Sequence, residues 1–346
     1  MVNKNEKAIT LKDIAEKADV SLATASRVMS GRGYASEVSK KNVIKVAKEL
    51  GYKTNRLARS LKLRRTNTIG MMITDIVNPF YSYLADGVLE CAKKCGYHVI
   101  VCATEEDPKL EREYLKVLME ERAAGIIAVP TGRNLKYWRE TIDFGMKLVL
   151  VDREVFGIPD ADVILVDNIQ GAYDATSYLI GLGHRRIGII NGPISTTTGA
   201  GRLKGYRKAL EEAKIPVDKD LLEVVTFKGE SGITAAKKLL SLKNSPTAIF
   251  ATNNVLGEAT LFVIRELGLK VRDDISLVIF DDVPWTSLTN PRITVVSQPT
   301  HSLGYLGLEM LDRQLKRVNE EKKNVHQKTI LMPELIIRES CAKLKQ

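Results

Sequence analysis

The sequence predicts an α/β protein, with a small all-helical N-terminal domain ahead of a larger two-lobed body of parallel sheets. Three observations carry this reading. The formal charge of +10 is unevenly placed: the first 66 residues hold 16 Lys and Arg against 6 Asp and Glu, leaving 36 of 52 basic and 36 of 42 acidic residues for the remainder. The first fifty residues or so divide into three short, apolar-striped segments, each preceded by a capping residue. From Thr68 onward, short apolar strands alternate with amphipathic helices, the pattern of right-handed crossovers in parallel sheets.

The composition, 44% apolar and 27% charged, is that of an ordinary globular chain. No apolar run reaches the roughly 18–20 residues that span a bilayer. Met1 to Lys7 is polar and is followed by no signal-like apolar core, so a cytoplasmic location is expected. Four cysteines are too few for a disulfide scaffold.

Within the basic segment, Thr10 and Asp13 have the form of a capping box. Leu11, Ile14, Ala15 and Ala18 follow at helical spacing and predict one apolar face. Asp19-Val20 is short enough for a turn, and Ser21 caps a second helix through about Met29, with Ala25, Val28 and Met29 inward. Ser36 caps a third helix, with Val43, Ile44, Ala47 and Leu50 as its packing stripe and Gly51 as its end. Two helices across a tight turn with a third covering them form a helix-turn-helix layout. Thr10, Ser21, Leu22, Ala23, Thr24 and Arg27 are the candidate DNA contacts. Arg27 suits a bidentate contact to guanine, and Leu22 or Ala23 a thymine methyl.

Asn55 to Lys62 contains helix formers over only about two turns, too few to be stable alone. It reads either as a basic linker or as a hinge helix that forms on DNA beside a second copy of itself. Thr10-Leu-Lys-Asp-Ile-Ala, Val20-Ser21 through Ser26-Arg27-Val28, Glu49-Leu50-Gly51-Tyr52 and Asn55 through Leu61 together resemble the lactose/galactose repressor (LacI/GalR) family. That resemblance implies Asn55, Arg59, Leu61 and Lys62 as hinge contacts, with Leu61 wedging into the minor groove. It also implies a palindromic DNA operator bound by a homodimer, and a small-molecule effector, carbohydrate by class. Thr54 replaces a proline common before the hinge asparagine. The expected divisions are 1–53 for the helix-turn-helix domain, 54–66 for the hinge and linker, and 67–346 for the sensor.

The body resembles the periplasmic-binding-protein-like fold that serves this family as its sensor. Its first lobe is expected at about 67–167 plus 299–327, and its second at 168–298 plus 328–342. Ten strands are expected: 69–73, 98–102, 125–129, 148–151, 163–166, 186–190, 222–226, 248–251, 277–280 and 294–297. Helices are expected over Tyr81–Lys94, Glu111–Arg122, Gly171–Leu182, Arg202–Ala213 and Gly232–Leu240.

Ligands of open parallel sheets sit beyond the carboxyl ends of the strands. Immediately after strands come Asn78-Pro79-Phe80-Tyr81, Asp152-Arg153, the hydroxyl-rich run to Thr198 and Arg202, Phe227, Asn253-Asn254, Asp281-Asp282 and Gln298. Aromatic plates with Asp, Arg, Asn and Gln suit a sugar-like ligand. Phe80 and Tyr81 as core aromatics, Asp152 as a helix cap and Gln298 as a turn residue are the structural alternatives. The resemblance supports Phe80, Tyr81, Asp152, Thr198, Arg202, Phe227, Asn253, Asp281 and Gln298 as pocket positions. Two departures from the family pattern concern the ligand: Asn254 where an aspartate is common, and Ile279 where a glycine is usual, adding bulk to a strand end.

Cys91, Cys95 and Cys102 lack the second ligand pair of a zinc site. His98, His301 and His326 show no acid–base pattern, and His184 is expected to end a helix. No nucleophile elbow or phosphate loop occurs. The expectation is therefore a DNA-binding regulator without catalysis, metal or cofactor. Control by a protein co-regulator and a transport-type sugar-binding protein are the other readings. The absence of a leucine-heptad tail before Gln346 favours a dimer over a tetramer.

Overall fold

A computed structural model describes residues 9–30, 34–52, 66–158, 161–316 and 326–344, in two compact units divided after Arg65. The N-terminal unit contains α1 (Leu11–Lys17), α2 (Leu22–Ser30) and α3 (Glu37–Glu49). Each starts where a hydroxyl takes up an unpaired first-turn amide. Thr10 and Asp13 form a full capping box, Ser21 Oγ accepts from Thr24 N at 3.1 Å, and Ser36 Oγ accepts from Ser39 N at 3.2 Å. Ile14, Ala18, Val43, Val46 and Ala47 make the core. Ile44, expected in the stripe of α3, is 58% exposed, and Val46 takes its place. From Val43 the inward positions of an α-helix are three, four and seven residues on, whereas the next residue lies about 100° around the axis. Asn42 Nδ2 donates to Ala18 O at 2.9 Å, tying α3 to the end of α1.

The body is built as two lobes. The first runs β1 (Thr68–Ile73), α4 (Pro79–Cys95), β2 (His98–Ala103), α5 (Pro108–Glu120), β3 (Gly125–Ala128), α6 (Leu135–Asp143), β4 (Lys147–Val151) and β5 (Asp162–Val166). The second runs α7 (Asn168–Gly181), β6 (Ile187–Asn191), α8 (Thr197–Glu212), β7 (Leu222–Val224), α9 (Gly229–Leu240), β8 (Ala248–Ala251), α10 (Asn254–Glu266), β9 (Ser276–Phe280) and β10 (Thr294–Ser297). The chain then returns to α11 (Thr300–Lys316), β11 (Lys328–Leu331) and β12 (Glu334–Ile336). The first sheet has the order β11-β5-β4-β3-β1-β2 and is parallel throughout. The second has the order β12-β10-β9-β8-β6-β7 and is parallel except for β12. Apolar clusters cover both faces of each sheet, as buried parallel sheets require.

The structure departs from the sequence reading at helix starts, where the cause is local, and at the last strands, where it is a distant partner. The named helices begin earlier than the apolar periodicity suggested, because the repeat does not register proline or the polar and small residues that open most of them. Asn78, Asp107, Asp167 and Thr196 cap α4, α5, α7 and α8, with proline in the first turn of α4 and α5. Arg202 therefore sits inside α8, not at its start. Strands β11 and β12 were not anticipated. The lobe boundary at 327/328 is also displaced, since Lys328–Leu331 pairs in parallel with β5 in the first sheet, and the crossing falls at Met332-Pro333. A four-residue edge strand alternating exposed and half-buried residues leaves little hydrophobic signal. The polypeptide thus crosses between the lobes near Asp167, at Gln298-Pro299 and at Met332-Pro333.

In the first lobe α4 and α11 approach closely at two glycines. A Cβ on Gly87 would lie 2.1 Å from His301 O, and one on Gly304 would lie 2.0 Å from Leu84 O. Because both obstacles are backbone, relief requires the helices to separate. Gly304→Val should lower the stability of the body by about 1–3 kcal/mol or more, read as a fall in the denaturation midpoint. An unchanged midpoint would contradict this packing.

Candidate functional site

The N-terminal unit presents one face of α2. Ser21, Leu22, Ala23 and Arg27 are exposed and Thr24 is half-buried, while Ala25 is buried. Thr10 is exposed but committed to its capping box, with its Oγ1 donating to Asp13 at 2.7 Å. The Arg27 guanidinium donates to Tyr34 O at 3.4 Å. Asn55, Arg59, Leu61 and Lys62 lie outside the described residues.

In the body, the carboxyl ends of the two sheets face one another across a cavity of about 320 Å³. All nine pocket candidates line it: Phe80, Tyr81, Asp152, Thr198, Arg202, Phe227, Asn253, Asp281 and Gln298. Phe80 and Tyr81 pack edge to face with centroids 5.0 Å apart and also belong to the first lobe's core, so the pocket and core readings of these rings both describe the structure. Phe227 rests on Gly192, where a Cβ would fall 2.0 Å from the ring. Asn253 caps α10 through Leu256 N at 2.9 Å.

Four charged side chains are buried at this seam: Asp152, Arg153, Arg202 and Asp281. Arg202 donates from Nε to Asn168 Oδ1 at 2.7 Å and from Nη1 to Thr252 O at 2.5 Å, with its guanidinium 3.8 Å from the centre of the Phe280 ring. Arg153 grips Glu106 with both Nη atoms at 2.8 Å and lies 5.4 Å from the centre of the Phe227 ring, across the cleft. Asp281 accepts from Asn254 N at 3.2 Å and from Gln298 Nε2 at 2.5 Å. Asp152 Oδ1 and Gln298 Oε1 are buried acceptors without a partner. Both aspartates hold positive φ, 66° and 83°, at the ends of β4 and β9, a strained geometry for residues other than glycine.

Burial pushes the Asp152 carboxyl up to about 6, against the pull of Arg153 and Arg202. Burial raises Asp281 as well, opposed by Arg202, Gln298 and the Asn254 amide. Desolvation lowers Arg202, with Asp281 and Asp152 opposing it. For Arg153 desolvation also acts downward, yet Tyr81, Glu106 and Asp152 outweigh it and its proton is held more tightly than usual.

The two departures act away from the positions expected of them. Asn254 does not line the cavity; its Nδ2 donates across the lobes to Asn78 Oδ1 at 2.7 Å. Ile279 is fully buried against Gly257, so its bulk is absorbed by the second lobe's core rather than the cleft. His184 Nδ1 pairs with Thr247 and Nε2 with Ala342 O, so its ring ties the C-terminal segment to the second lobe while its backbone amide ends α7. The cavity also includes Thr74, Asn78, Glu105, Glu106, Arg153 and Lys228. Glu105 and Glu106 follow β2 after Thr104, so the strand-end rule points to them as well.

A carboxylate raised in the folded state contributes stability below its ordinary value and loses it as the pH rises through the folded value. For Asp152 that window runs from 3.8 to about 6, corresponding to roughly 3 kcal/mol at most. Asp152→Asn should therefore melt higher than the wild type, by little near pH 4 and by more as the pH passes 6. A pH-independent difference would contradict the buried-carboxylate assignment.

Sequence and structure comparisons place the fold among known proteins. Residues 10–55 match the model for bacterial regulatory proteins of the lacI family, and residues 176–341 match the periplasmic binding protein-like domain. The chain is 36% identical to the HTH-type transcriptional regulator DegA of Bacillus subtilis (strain 168), over 97% of this chain and 98% of that protein. It is 33% identical to the ribose operon repressor of Haemophilus influenzae (strain ATCC 51907 / DSM 11121 / KW20 / Rd), over 97% and 99%. The transcriptional regulator CelR in complex with cellobiose superposes with a TM-score of 0.71 at 28% identity, covering 96% of this chain and 99% of that one. Among the described residues no helix is long and apolar enough to cross a membrane. With an N-terminal helix-turn-helix unit followed in sequence by a two-lobed periplasmic-binding-protein-like body, the chain belongs to the LacI family of transcriptional regulators, which are not enzymes.

Proposed function

We propose that the protein is a repressor that binds a palindromic operator as a homodimer, and that a small sugar-like effector between the lobes controls its affinity for DNA. The observation that carries the effector assignment is the pair of unpartnered buried acceptors, Asp152 Oδ1 and Gln298 Oε1, on residues that line one cavity. Buried polar groups demand partners, and hydroxyl donors flanked by aromatic plates answer that demand. The relatives include a ribose operon repressor and a cellobiose-bound regulator, which support the same class. For the dimer, Tyr83 and Leu89 on α4 and Ile100 on the edge strand β2 are exposed, an apolar display that a second copy would cover. The hinge contacts of Asn55, Arg59, Leu61 and Lys62 rest on the family resemblance.

In this reading α2 enters the major groove, and the N-terminal charge supplies sequence-independent, salt-dependent affinity. Effector binding favours one lobe arrangement, and by linkage each ligand changes the other's affinity by the same factor. Arg27→Ala should lose about 1–3 kcal/mol of base discrimination while the salt dependence of binding to unrelated DNA changes little. Equal loss on all sequences would remove Arg27 from base readout. Arg202→Ala should abolish sugar-induced thermal stabilisation of the body and leave operator binding in the absence of sugar intact. Sugar affinity unaffected by this substitution would refute the pocket.

A further inference from the structure

We propose that the Glu106–Arg153 pair sets the ligand class of the cleft, making it take an uncharged polyol and refuse phosphorylated or acidic sugars. This rests on the carbohydrate-effector reading above and narrows it. The cleft contains two arginines, the side chain an anionic ligand would normally seek, and four of their six guanidinium nitrogens are already engaged. Glu106 occupies both Nη atoms of Arg153 at 2.8 Å, and Arg153 Nη2 also reaches Tyr81 Oη at 3.4 Å. Arg202 spends Nε on Asn168 and Nη1 on a backbone carbonyl, and its face lies on Phe280.

The cavity wall carries five carboxyl side chains, Asp75, Glu105, Glu106, Asp152 and Asp281, against three cations, Arg153, Arg202 and Lys228. Asp75, Glu105 and Lys228 are exposed, and the more enclosed charges, Glu106, Asp152 and Asp281 against Arg153 and Arg202, still leave a phosphate or carboxylate facing net negative charge. Arg153 Nε, an unpartnered donor on the wall, lies 3.6 Å from Asp152 Oδ2, and the unpartnered acceptors there are Asp152 Oδ1 and Gln298 Oε1. They require hydrogen-bond donors, which sugar hydroxyls supply and an ionised phosphate does not. Glu106 is held at its post by a backbone in the left-handed region, φ 60°, beside Glu105 at φ 53°. Arg153, 4% exposed at its side chain, also stacks on Phe227 of the opposite lobe. Neutralising Glu106 would leave the buried Arg153 guanidinium with Asp152, 3.6 Å from its Nε, as its close countercharge, and an anionic ligand would replace the charge removed.

The test uses the full chain, wild type and Glu106→Gln, with ribose, glucose, cellobiose, ribose 5-phosphate and glucose 6-phosphate as probes in thermal-shift and calorimetric titrations. The wild type should bind at least one neutral sugar and neither phosphate. In Glu106→Gln the preference should move about tenfold or more toward the phosphate, and in Glu106→Asp, which keeps the charge, it should remain with the neutral sugar. Wild-type binding of a sugar phosphate as tight as its neutral counterpart overturns this inference while leaving a carbohydrate effector in place. That comparison decides even if a variant fails to fold. An unchanged preference in a folded Glu106→Gln protein also overturns it. Binding of none of the five probes by the wild type overturns both this inference and the effector reading beneath it.

Discussion

The body is organised around charge that has been taken out of water. Asp152, Arg153, Arg202 and Asp281 are buried where two parallel sheets point their carboxyl ends at each other. Desolvating such groups can cost more than simple pairing returns, and well-packed apolar residues of similar size often serve stability as well or better. The cost shows in the raised Asp152 and Asp281 carboxyls and in the left-handed backbone at both aspartates. Groups held under strain with unsatisfied acceptors beside a cavity are what a binding site requires and a core does not.

The same charges connect the cavity to the chain crossings. Gln298 lies on the crossing between β10 and α11, and Asp281 holds its amide. Asn168, the first residue of α7 just beyond the crossing at Asp167, accepts from Arg202. Asn78 and Asn254 join the lobes directly, and Arg153 meets Phe227 from the opposite side. A ligand competing for these partners would therefore act on the segments that join the lobes. A differential interaction of this kind is what allows a small molecule to shift a conformational equilibrium.

Much of this was readable from the sequence because it rests on short-range rules. Thr10, Ser21 and Ser36 announce their helices through capping chemistry, and the central strands announce themselves as apolar runs. The strand-end rule led to residues as far apart as Phe80 and Gln298. What stayed hidden depended on partners distant in the chain. Lys328–Leu331 becomes a strand only because β5 offers it an edge. Ile279 is harmless to the cleft only because Gly257 makes room for it. Asn254 is defined by Asn78, 176 residues away. Glu106 acquires meaning only when β4 brings Arg153 beside it.

The central claim is that a ligand in the seam and an operator on α2 are read by one coupled equilibrium. Operator affinity of the full chain, measured by fluorescence anisotropy at rising concentrations of a sugar that binds the cleft, tests this most directly. Coupling of ordinary strength should change operator affinity by about 5–150-fold, and saturating operator should change sugar affinity by the same factor. A sugar that saturates the cleft and leaves operator affinity unchanged would contradict the account.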